Sequence, residues 1–324
     1  MLYRINKRLE KIMPIITPAS VIIGVLLAEH LSGYAYLIPW LFAFMTFSGS
    51  ISSNFNSLTQ TIYHPKPLFL VFFILHIVMP LLAWGTGLVA FPGDTYTITG
   101  LVLAMAIPTG ISSFIWVSIY RGHIPLTLSI ILIDTFLSPL IVPFTLSILL
   151  QTSVEIEVMS MMKGLVLMIV IPSFLGMLLN QVTKGKCKEV LSPRLAPFSK
   201  LGLAVVVMIN ASVVAPYLRN VDLKLIGIAL TVLGVAFMGY MLSFLSANFF
   251  KNDRETVIAL TFTGGMRNIS AGAVIAVTYF PAAVAVPVVI GMLFQQVLAS
   301  VYGVILSRHY KKSVRAKSLN EKVG

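Results

Sequence analysis

The chain has 324 residues, of which 57% are apolar and 10% are charged, and its formal net charge is +12. Its mean hydropathy of +0.94 excludes a soluble globular protein and predicts an all-α polytopic membrane protein. A single cysteine, Cys187, excludes an internal disulfide framework and a thiolate metal cluster.

Ten apolar stretches are long enough to cross a bilayer, whose core of roughly 30 Å requires about 20 residues of helix. In chain order they cover residues 13–29, 35–52, 67–91, 96–120, 124–150, 158–180, 199–218, 223–249, 255–279 and 282–307. The sequence therefore predicts a cytoplasmic N-terminus (1–12), a transmembrane domain (13–307) and a basic cytoplasmic tail (308–324).

The positive charges are concentrated on one side of the predicted membrane domain. Of the 23 lysines and arginines, all but four lie in or beside the two termini and the connections on that side. The exceptions are Lys163, Arg219, Lys224 and Arg267. This positive-inside pattern predicts a multi-pass protein of the cell (inner or plasma) membrane with both termini in the cytoplasm. The basic charge thus indicates contact with the lipid bilayer and not with nucleic acid.

The two halves of the chain match when the sequence is shifted against itself by 154 residues. Helices one, three, four and five then fall on helices six, eight, nine and ten, while Pro18 falls on Pro172 and Thr109 on Thr263. Because each half holds an odd number of helices, the pattern predicts two inverted five-helix repeats. The repeats cover 13–150 and 158–307. A chance match between helices of similar length is the alternative explanation.

The fourth and ninth predicted helices are interrupted at matching positions. The fourth contains IPTGISSF, residues 107–114, and the ninth contains FTGGMRNI, residues 262–269. Pro and Gly favour an unwound segment, and a pair of broken helices in inverted repeats is typical of the binding site of a secondary transporter. Free amides and carbonyls at the half-helix ends attract ions, so we expect the breaks of helices four and nine to lie side by side and to form a substrate site.

Arg267 places a permanent charge inside the ninth helix. An arginine at this depth costs about 2.5 to 3.5 kcal/mol on insertion scales, so we expect it to bind a partner or an anionic ligand, and its planar fork suits a carboxylate. Asp134, deep in the fifth helix, is either the partner of Arg267 in a structural salt bridge or a coupling group. His76 in the third helix is either a proton-coupling group or a packing residue. Gln295 and Gln296 are further polar groups expected near the site.

Two other classes of function compete with a carrier. An anion channel would use Arg267 in a selectivity filter, but none of the ten predicted helices carries a continuous polar stripe. A membrane-embedded enzyme would need a nucleophile with a base or clustered metal ligands, and the five histidines are scattered along the chain. The sequence therefore favours a transport protein that is not an enzyme and needs no cofactor.

Three segments resemble the bile acid:sodium symporter family. They are HIVMP (76–80), YRGHIPLTLSIILIDTFLSPLIVP (120–143) and GGMRN (264–268). The resemblance covers nearly the whole chain and implies ten helices in a five-plus-five inverted repeat, in which broken helices four and nine cross. It also implies a carrier of bile-acid-like or small carboxylate anions that works by alternating access.

The resemblance implies positions for the site as well. Substrate contacts would fall on Asn268 and on the helix end from Ile111 to Phe114. Together with the polar groups above, the expected substrate site comprises Ile111, Ser112, Ser113, Phe114, Arg267, Asn268 and Gln295, and the expected coupling groups are His76 and Asp134. The residues that the resemblance implies for sodium are Ser113, Thr127, Thr263 and Met266.

Several positions depart from the family pattern. Phe114 stands in place of an asparagine, Thr263 in place of a glutamate and Arg267 in place of a glutamine, so most side-chain oxygens of the sodium sites are missing. Our hypothesis is that the guanidinium of Arg267 occupies the space of a sodium ion as a built-in cation. Sodium symport, sodium-independent transport and proton coupling all remain open at this stage, and nothing in the sequence specifies an oligomeric state.

Overall fold

The computed structural model describes residues 15–53, 65–150, 157–219 and 221–320, with side chains described in these ranges up to residue 310. Within them every regular element is a helix, apart from one isolated antiparallel β-bridge. The helices are α1 (Ile15–Leu26), α2 (Ala28–Ser50), α3 (Pro65–Ala90), α4 (Thr95–Ala106), α5 (Ser113–Ile119), α6 (Ile124–Leu150), α7 (Val158–Val182), α8 (Lys186–Val190), α9 (Ser192–Leu218), α10 (Leu223–Phe249), α11 (Arg254–Gly265), α12 (Ile269–Tyr279) and α13 (Ala282–Asn320). The expected N-terminal segment 1–12 lies outside the described residues.

Seven of the described helices are long and apolar enough to cross a membrane, namely α2, α3, α6, α7, α9, α10 and α13. Three shorter apolar helices, α1, α4 and α12, fall within the first, fourth and ninth expected spans. Neither the fourth nor the ninth expected span is a single helix long enough to cross a membrane, because each is divided into two helices, α4 with α5 and α11 with α12. The architecture is that of an all-helical multi-pass membrane protein, while ten spans in two inverted repeats remain a prediction.

Two prolines reshape the long helices α3 and α7. A single π-helical turn covers Ile74–Val78 just before Pro80, and another covers Val166–Val170 just before Pro172. Proline lacks an amide hydrogen and its ring clashes with the preceding turn, so the helix widens locally instead of keeping its ordinary hydrogen bonds. The widened turn of α3 carries His76, one of the expected coupling groups.

The buried apolar side chains of the described residues form two separate cores. The first core contains Leu103 of α4 and Val274 of α12, whereas the second contains Val117 of α5 and Leu260 of α11. Each interrupted span therefore contributes one half to each core, and both interruptions lie between the cores. Lipid tails are as apolar as these side chains, so close van der Waals packing on both sides, and not removal from water, holds the unwound segments in place.

Three helix boundaries differ most from the expected spans. α2 begins at Ala28, ahead of the expected start at 35, and α9 begins at Ser192, ahead of the expected start at 199. α13 continues to Asn320, past the expected end at 307. The expected tail therefore begins as a continuation of a transmembrane helix. The apolar stretch of α13 ends at the charged residues after 307, which set the expected boundary. The helix itself continues, because lysine and arginine are good helix formers. Arg254 at the start of α11 lies 5.6 Å from the centroid of the Tyr310 ring in this extension.

Candidate functional site

The two interruptions begin with extended residues. Ile107 has φ −61° and ψ 151°, and Met266 has φ −93° and ψ 132°. Pro108 accounts for the first change, because a residue that precedes proline avoids the helical region. At the second, Gly264 and Gly265 end α11, since glycine has a low helix propensity. Both spans are therefore interrupted as the sequence predicts.

The two unwound segments are hydrogen-bonded to each other. The amide of Gly110 donates to the carbonyl of Met266 over 3.2 Å, and the amide of Asn268 donates to the carbonyl of Pro108 over 2.8 Å. These bonds form the antiparallel bridge of the fold. An unpaired backbone group in hydrocarbon costs several kcal/mol, so this mutual pairing allows non-helical backbone at this depth.

Glycine permits the close approach of the two segments. A Cβ atom on Gly110 would lie 2.7 Å from the carbonyl oxygen of Arg267, and one on Gly265 would overlap the ring of Tyr240. Tyr240 is fully buried and stacks on Tyr302, so its ring has little room to move. The backbones can approach this closely only because both positions lack a side chain.

Thr109 joins the crossing segments to α6. Its hydroxyl is shared between the carbonyl oxygens of Thr263, at 2.6 Å, and Met266, at 3.0 Å. Its amide donates to Oδ2 of Asp134 over 2.6 Å, and the residue is completely buried. The two carbonyls are among those that the end of α11 leaves without helical partners. Thr109 therefore gives the buried carbonyl of Thr263 a donor and the carbonyl of Met266 a second one.

Arg267 brings a positive charge into the crossing. The residue is 2% exposed, and its Nη1 and Nη2 atoms have no hydrogen-bond partner among the described residues. Its backbone amide donates to Oε1 of Gln295 on α13 over 3.0 Å. A buried guanidinium without partners is unfavourable by several kcal/mol, so the geometry suits an anionic ligand that would supply the missing acceptors.

Asp134 lies beside His76 and forms no salt bridge with Arg267 in the described part of the chain. Its Oδ1 atom is 2.8 Å from Nε2 of His76, a close contact that lacks the alignment of a hydrogen bond. The Asp134 side chain is completely buried and that of His76 is 9% exposed. The structural salt bridge considered from the sequence is thus not formed there, whereas the two expected coupling groups are direct neighbours. Nothing in their sequence spacing predicts this contact.

The two helices that follow the interruptions begin differently. At the start of α12, Oδ1 of Asn268 accepts a hydrogen bond from the amide of Ala271 over 3.3 Å. At the start of α5, Ser112 makes no such bond with its side chain. The oxygen of Asn268, an expected substrate contact, is therefore already engaged as a helix cap, and its amide nitrogen is the atom that remains for a ligand.

At the start of α5, hydroxyl groups are more available to an anionic ligand than backbone amides are. The amides of Ser113 and Phe114 donate to the carbonyls of Gly110 and Ile111 over 2.9 and 3.1 Å. The Oγ atom of Ser113 is buried and has no hydrogen-bond partner in the described ranges. Ile111 is 48% exposed, so its side chain borders an accessible surface. An anion at this end would meet the hydroxyls first, since the amides of 113 and 114 are already paired.

An aromatic group beside α5 escaped the sequence reasoning. Trp116 and Tyr120 stack on each other and on Phe262 of α11, with ring centroids 5.7 to 6.3 Å apart. The indole Nε1 of Trp116 donates to Oε1 of Gln296 over 3.1 Å. The spacing of four residues between Trp116 and Tyr120, which places them on one helix face, was the available signal. Gln295 and Gln296 thus support two different parts of the site.

Of the residues implied for sodium, Ser113 lies on α5, Thr127 on α6 and Thr263 on α11, and these three helices pack against one another. Met266 directly follows the last residue of α11. The hydroxyls of Thr127 and Thr263 each donate to the carbonyl four residues earlier, over 3.0 and 2.8 Å. The carbonyl of Met266 accepts from two donors. Among the described residues no cluster of three His, Cys, Asp or Glu side chains could hold a metal ion. This oxygen set is neutral and lies beside the Arg267 segment, so it fits an additional cation poorly.

A family model described as the sodium bile acid symporter family matches residues 39–221. That region contains His76, Asp134 and the first interruption, and the second interruption follows it. An uncharacterized Bacillus subtilis protein, YbaS, is 55% identical over 94% of this chain and all of its own length.

Two more distant relatives have names that describe transport. The uncharacterized sodium-dependent transporter YocS of Bacillus subtilis is 20% identical over 88% of each chain. The probable sodium/metabolite cotransporter BASS1 of the rice chloroplast is 25% identical over 78% of this chain and 60% of its own length.

Proposed function

Because the chain belongs to the sodium bile acid symporter family, we propose that it is a secondary active transporter of small organic anions. The family consists of sodium-dependent transporters with small-molecule substrates. For this chain we assign bile-acid-like or small carboxylate anions, carried across the cell membrane by alternating access. Both termini are assigned to the cytoplasm on the basis of the positive-inside pattern.

The buried guanidinium of Arg267 is the observation that supports an anionic substrate. Its two terminal nitrogens lack partners within the described residues, although a guanidinium binds a carboxylate through two parallel hydrogen bonds. The hydroxyl of Ser113 and the amide nitrogen of Asn268 lie at the starts of the two helices that leave the crossing. These groups form a set of donors that suits a carboxylate at the crossing.

Arg267 also supports transport that does not require sodium at this position. A fixed positive charge repels a second cation, and the side-chain oxygens that the family resemblance implies for sodium are largely missing. We therefore assign the guanidinium the role of a built-in cation. It attracts the substrate in each cycle without being released.

The two interruptions support alternating access by inverted repeats. Thr109 and Thr263, which match in the repeat, lie at the crossing and contact each other through a hydroxyl and a carbonyl. Each interrupted span has one half in each apolar core. Movement of one core relative to the other would open the crossing to one side and then the other.

Counterflow in proteoliposomes tests the carrier. Vesicles are loaded with unlabelled cholate, gluconate or lactate, each of which carries one carboxylate, and entry of the same labelled anion is measured without any ion gradient. We expect internal anion to stimulate entry of the labelled anion at least about fivefold for one member of this panel. The reason is that a carrier with a bound anion reorients across the membrane faster than an empty carrier. Uptake without this stimulation indicates a channel, and absence of uptake for the whole panel contradicts the proposed substrate class.

The variant Arg267→Gln tests the built-in cation, with the exposed Arg219→Gln as the matched control. Loss of a charged hydrogen bond worth about 1.5 to 3 kcal/mol predicts a loss of roughly 10- to 100-fold in sodium-free counterflow. Addition of sodium to Arg267→Gln should restore part of the activity. Strong stimulation of the unmodified protein by sodium would contradict this role of Arg267.

A further inference from the structure

The contact between His76 and Asp134 places a titratable pair beside the crossing. Oδ1 of Asp134 lies 2.8 Å from Nε2 of His76, and both imidazole nitrogens lack an aligned hydrogen-bond partner in the described part of the chain. The ring of Phe72 stacks on the imidazole, with centroids 5.5 Å apart. The π-helical turn of α3 presents His76 here, and its side chain is 9% exposed, although both ring nitrogens are buried.

The charges of this buried group balance without a substrate. Arg267 contributes one positive charge and Asp134 one negative charge, and a neutral His76 contributes none. A carboxylate that binds to Arg267 adds a second negative charge to a region shielded from water. An uncompensated charge in such a region is strongly unfavourable. One additional positive charge restores the balance, and a proton on His76 supplies it.

We propose that His76 and Asp134 together bind one coupling proton, which enters and leaves with each carboxylate. This inference rests on the proposed function of the same site. The proton adds to the unprotonated nitrogen of the neutral imidazole and forms an imidazolium beside the Asp134 carboxylate. When the substrate leaves, the imidazolium returns the proton to water on that side. The cycle moves one proton and one carboxylate together, so no net charge crosses the membrane.

Asp134 connects the proton site to the substrate site. Its Oδ2 atom accepts the amide of Thr109, whose hydroxyl holds two carbonyls at the end of α11. A proton on His76 strengthens the attraction between the imidazole ring and Oδ1 of Asp134. It therefore changes the strength of the hydrogen bond that Oδ2 accepts from the amide of Thr109. The protonation state of the pair is thereby coupled to the geometry of the crossing.

Few other titratable groups lie near the pair. The described elements that pack against the His76 turn and α6 are the rest of α3 with α4, α5, α7, α10 and α11. Besides the pair itself, the buried titratable groups on or just beyond these elements are Tyr240 and Arg267, and at neutral pH tyrosine is uncharged while arginine keeps its charge. The remaining ones on these helices are exposed, namely Lys66, Tyr96, Lys163, Lys224, Arg254 and Glu255.

The test measures proton-driven accumulation of the labelled anion that shows counterflow. The full-length protein is reconstituted into liposomes in sodium-free potassium medium, with the outside more acidic by about one pH unit. One proton per carboxylate predicts accumulation up to about tenfold, because one pH unit corresponds to a tenfold ratio. A pH dye trapped inside should report acidification on substrate addition, and protein-free liposomes control for leakage.

The variants His76→Gln and Asp134→Asn remove the proton site, and the exposed His30→Gln is the matched control. We expect accumulation to fall from about tenfold to about onefold in His76→Gln, and counterflow at equal pH to decrease as well, because the bound carboxylate loses its compensating positive charge. The counterflow rate should also lose its dependence on pH. In Asp134→Asn, whose amide oxygen can still accept from Thr109, we expect the same loss of accumulation. Size-exclusion chromatography verifies that each variant is folded.

The outcomes separate this inference from the proposed function. Absence of counterflow for every tested anion contradicts the proposed function. Counterflow without accumulation in a pH gradient contradicts proton coupling alone, and accumulation in a sodium gradient but not in a pH gradient assigns the coupling to sodium. Accumulation by His76→Gln equal to that of the unmodified protein also overturns the proposal.

Discussion

The interruption between α4 and α5 and the interruption between α11 and α12 differ in length and in chemistry. The first covers residues 107–112, contains Pro108 and leaves Ile111 48% exposed. The second covers only 266–268 and buries Arg267 to 2% exposure. The first interruption supplies a hydroxyl and backbone groups to the crossing, whereas the second supplies the charge.

This difference shows that matching positions in a repeat need not share one role. Thr109 and Thr263 match in the sequence, but the hydroxyl of Thr109 joins the two segments, and that of Thr263 donates to its own helix. A ligand at the crossing would therefore receive its electrostatic attraction from one side. Substitutions in the two interruptions should therefore differ in their effects on stability.

Alanine at the two close-approach glycines should cause the largest loss of stability. For Gly110→Ala we expect a loss near the upper end of about 1 to 3 kcal/mol, because the new Cβ meets a backbone carbonyl. Gly265→Ala should lose a comparable amount, since its Cβ would overlap the buried ring of Tyr240, which stacks on Tyr302 and has little room to move. Thermal unfolding in detergent measures both effects.

Two other glycines provide matched controls for these variants. Nothing lies within 4 Å of a Cβ atom placed on Gly85 or Gly234. Alanine at these helical positions should therefore leave the melting temperature unchanged or raise it. A loss in Gly85→Ala as large as that in Gly110→Ala would contradict the explanation by close approach.

Removal of the Thr109 hydroxyl should have the next largest effect. Thr109→Val leaves the buried carbonyl of Thr263 without its donor, which predicts a loss of about 1 to 2 kcal/mol. The control is Thr99→Val, because the hydroxyl of this fully buried residue donates only within its own helix. Equal melting temperatures for the two variants would show that the contact between the segments contributes no stability.

The helix caps provide a direct comparison of the two interruptions. Asn268→Ala removes the hydrogen bond to the amide of Ala271 and should cost about 1 kcal/mol. Ser112→Ala should cost close to nothing, because the side chain of Ser112 makes no cap bond. Thermal unfolding of both variants checks the difference, and the opposite order would contradict the assigned caps.

The smallest expected effect concerns the aspartates that precede α4 and α11. Burial alone would raise the pKa of Asp94 and Asp253, but hydrogen bonds from Lys224 and Thr97 to the first, and from Thr256 to the second, lower both pKa values below the usual 3.8. A lowered pKa means that each carboxylate stabilises the fold above roughly pH 4, and that this stability is lost as the pH falls through the folded-state pKa.

Thermal unfolding as a function of pH tests the two aspartates. Asp94→Asn and Asp253→Asn should each reduce the loss of stability at acidic pH by about 0.5 kcal/mol or less, because both side chains are largely solvated. Asp94 should have the larger effect, since Nζ of Lys224 lies 2.7 Å from its Oδ2 atom. An unchanged pH profile in Asp94→Asn would contradict a contribution from this ion pair.

Local sequence patterns predicted much of the fold. Long apolar stretches predicted most helices, and Pro108 with the glycines at 110, 264 and 265 predicted both interruptions, because these residues act on their own backbone. Helix ends were predicted less well, as α13 shows, because apolar composition measures membrane burial and does not measure helix formation.

The candidate site was predicted only in part. Arg267 and Asp134 stand out in the sequence because a charge inside an apolar stretch is unfavourable. Their partners could not be assigned, since a salt bridge between them and a coupling role for Asp134 were both open, and the contact of Asp134 with His76 depends on how α3 packs against α6. The aromatic group around Trp116 was missed for the same reason, because Phe262 belongs to a distant segment.

The sequence by itself determined that this protein is helical and embedded in a membrane, that two spans are interrupted and that a positive charge lies at one interruption. Hydropathy and the backbone preferences of proline and glycine are properties of neighbouring residues, so they can be derived without the fold. Only the tertiary structure decided which groups meet, because each contact at the crossing joins residues from different helices. It placed Asp134 beside His76 and left the terminal nitrogens of Arg267 without a partner among the described residues.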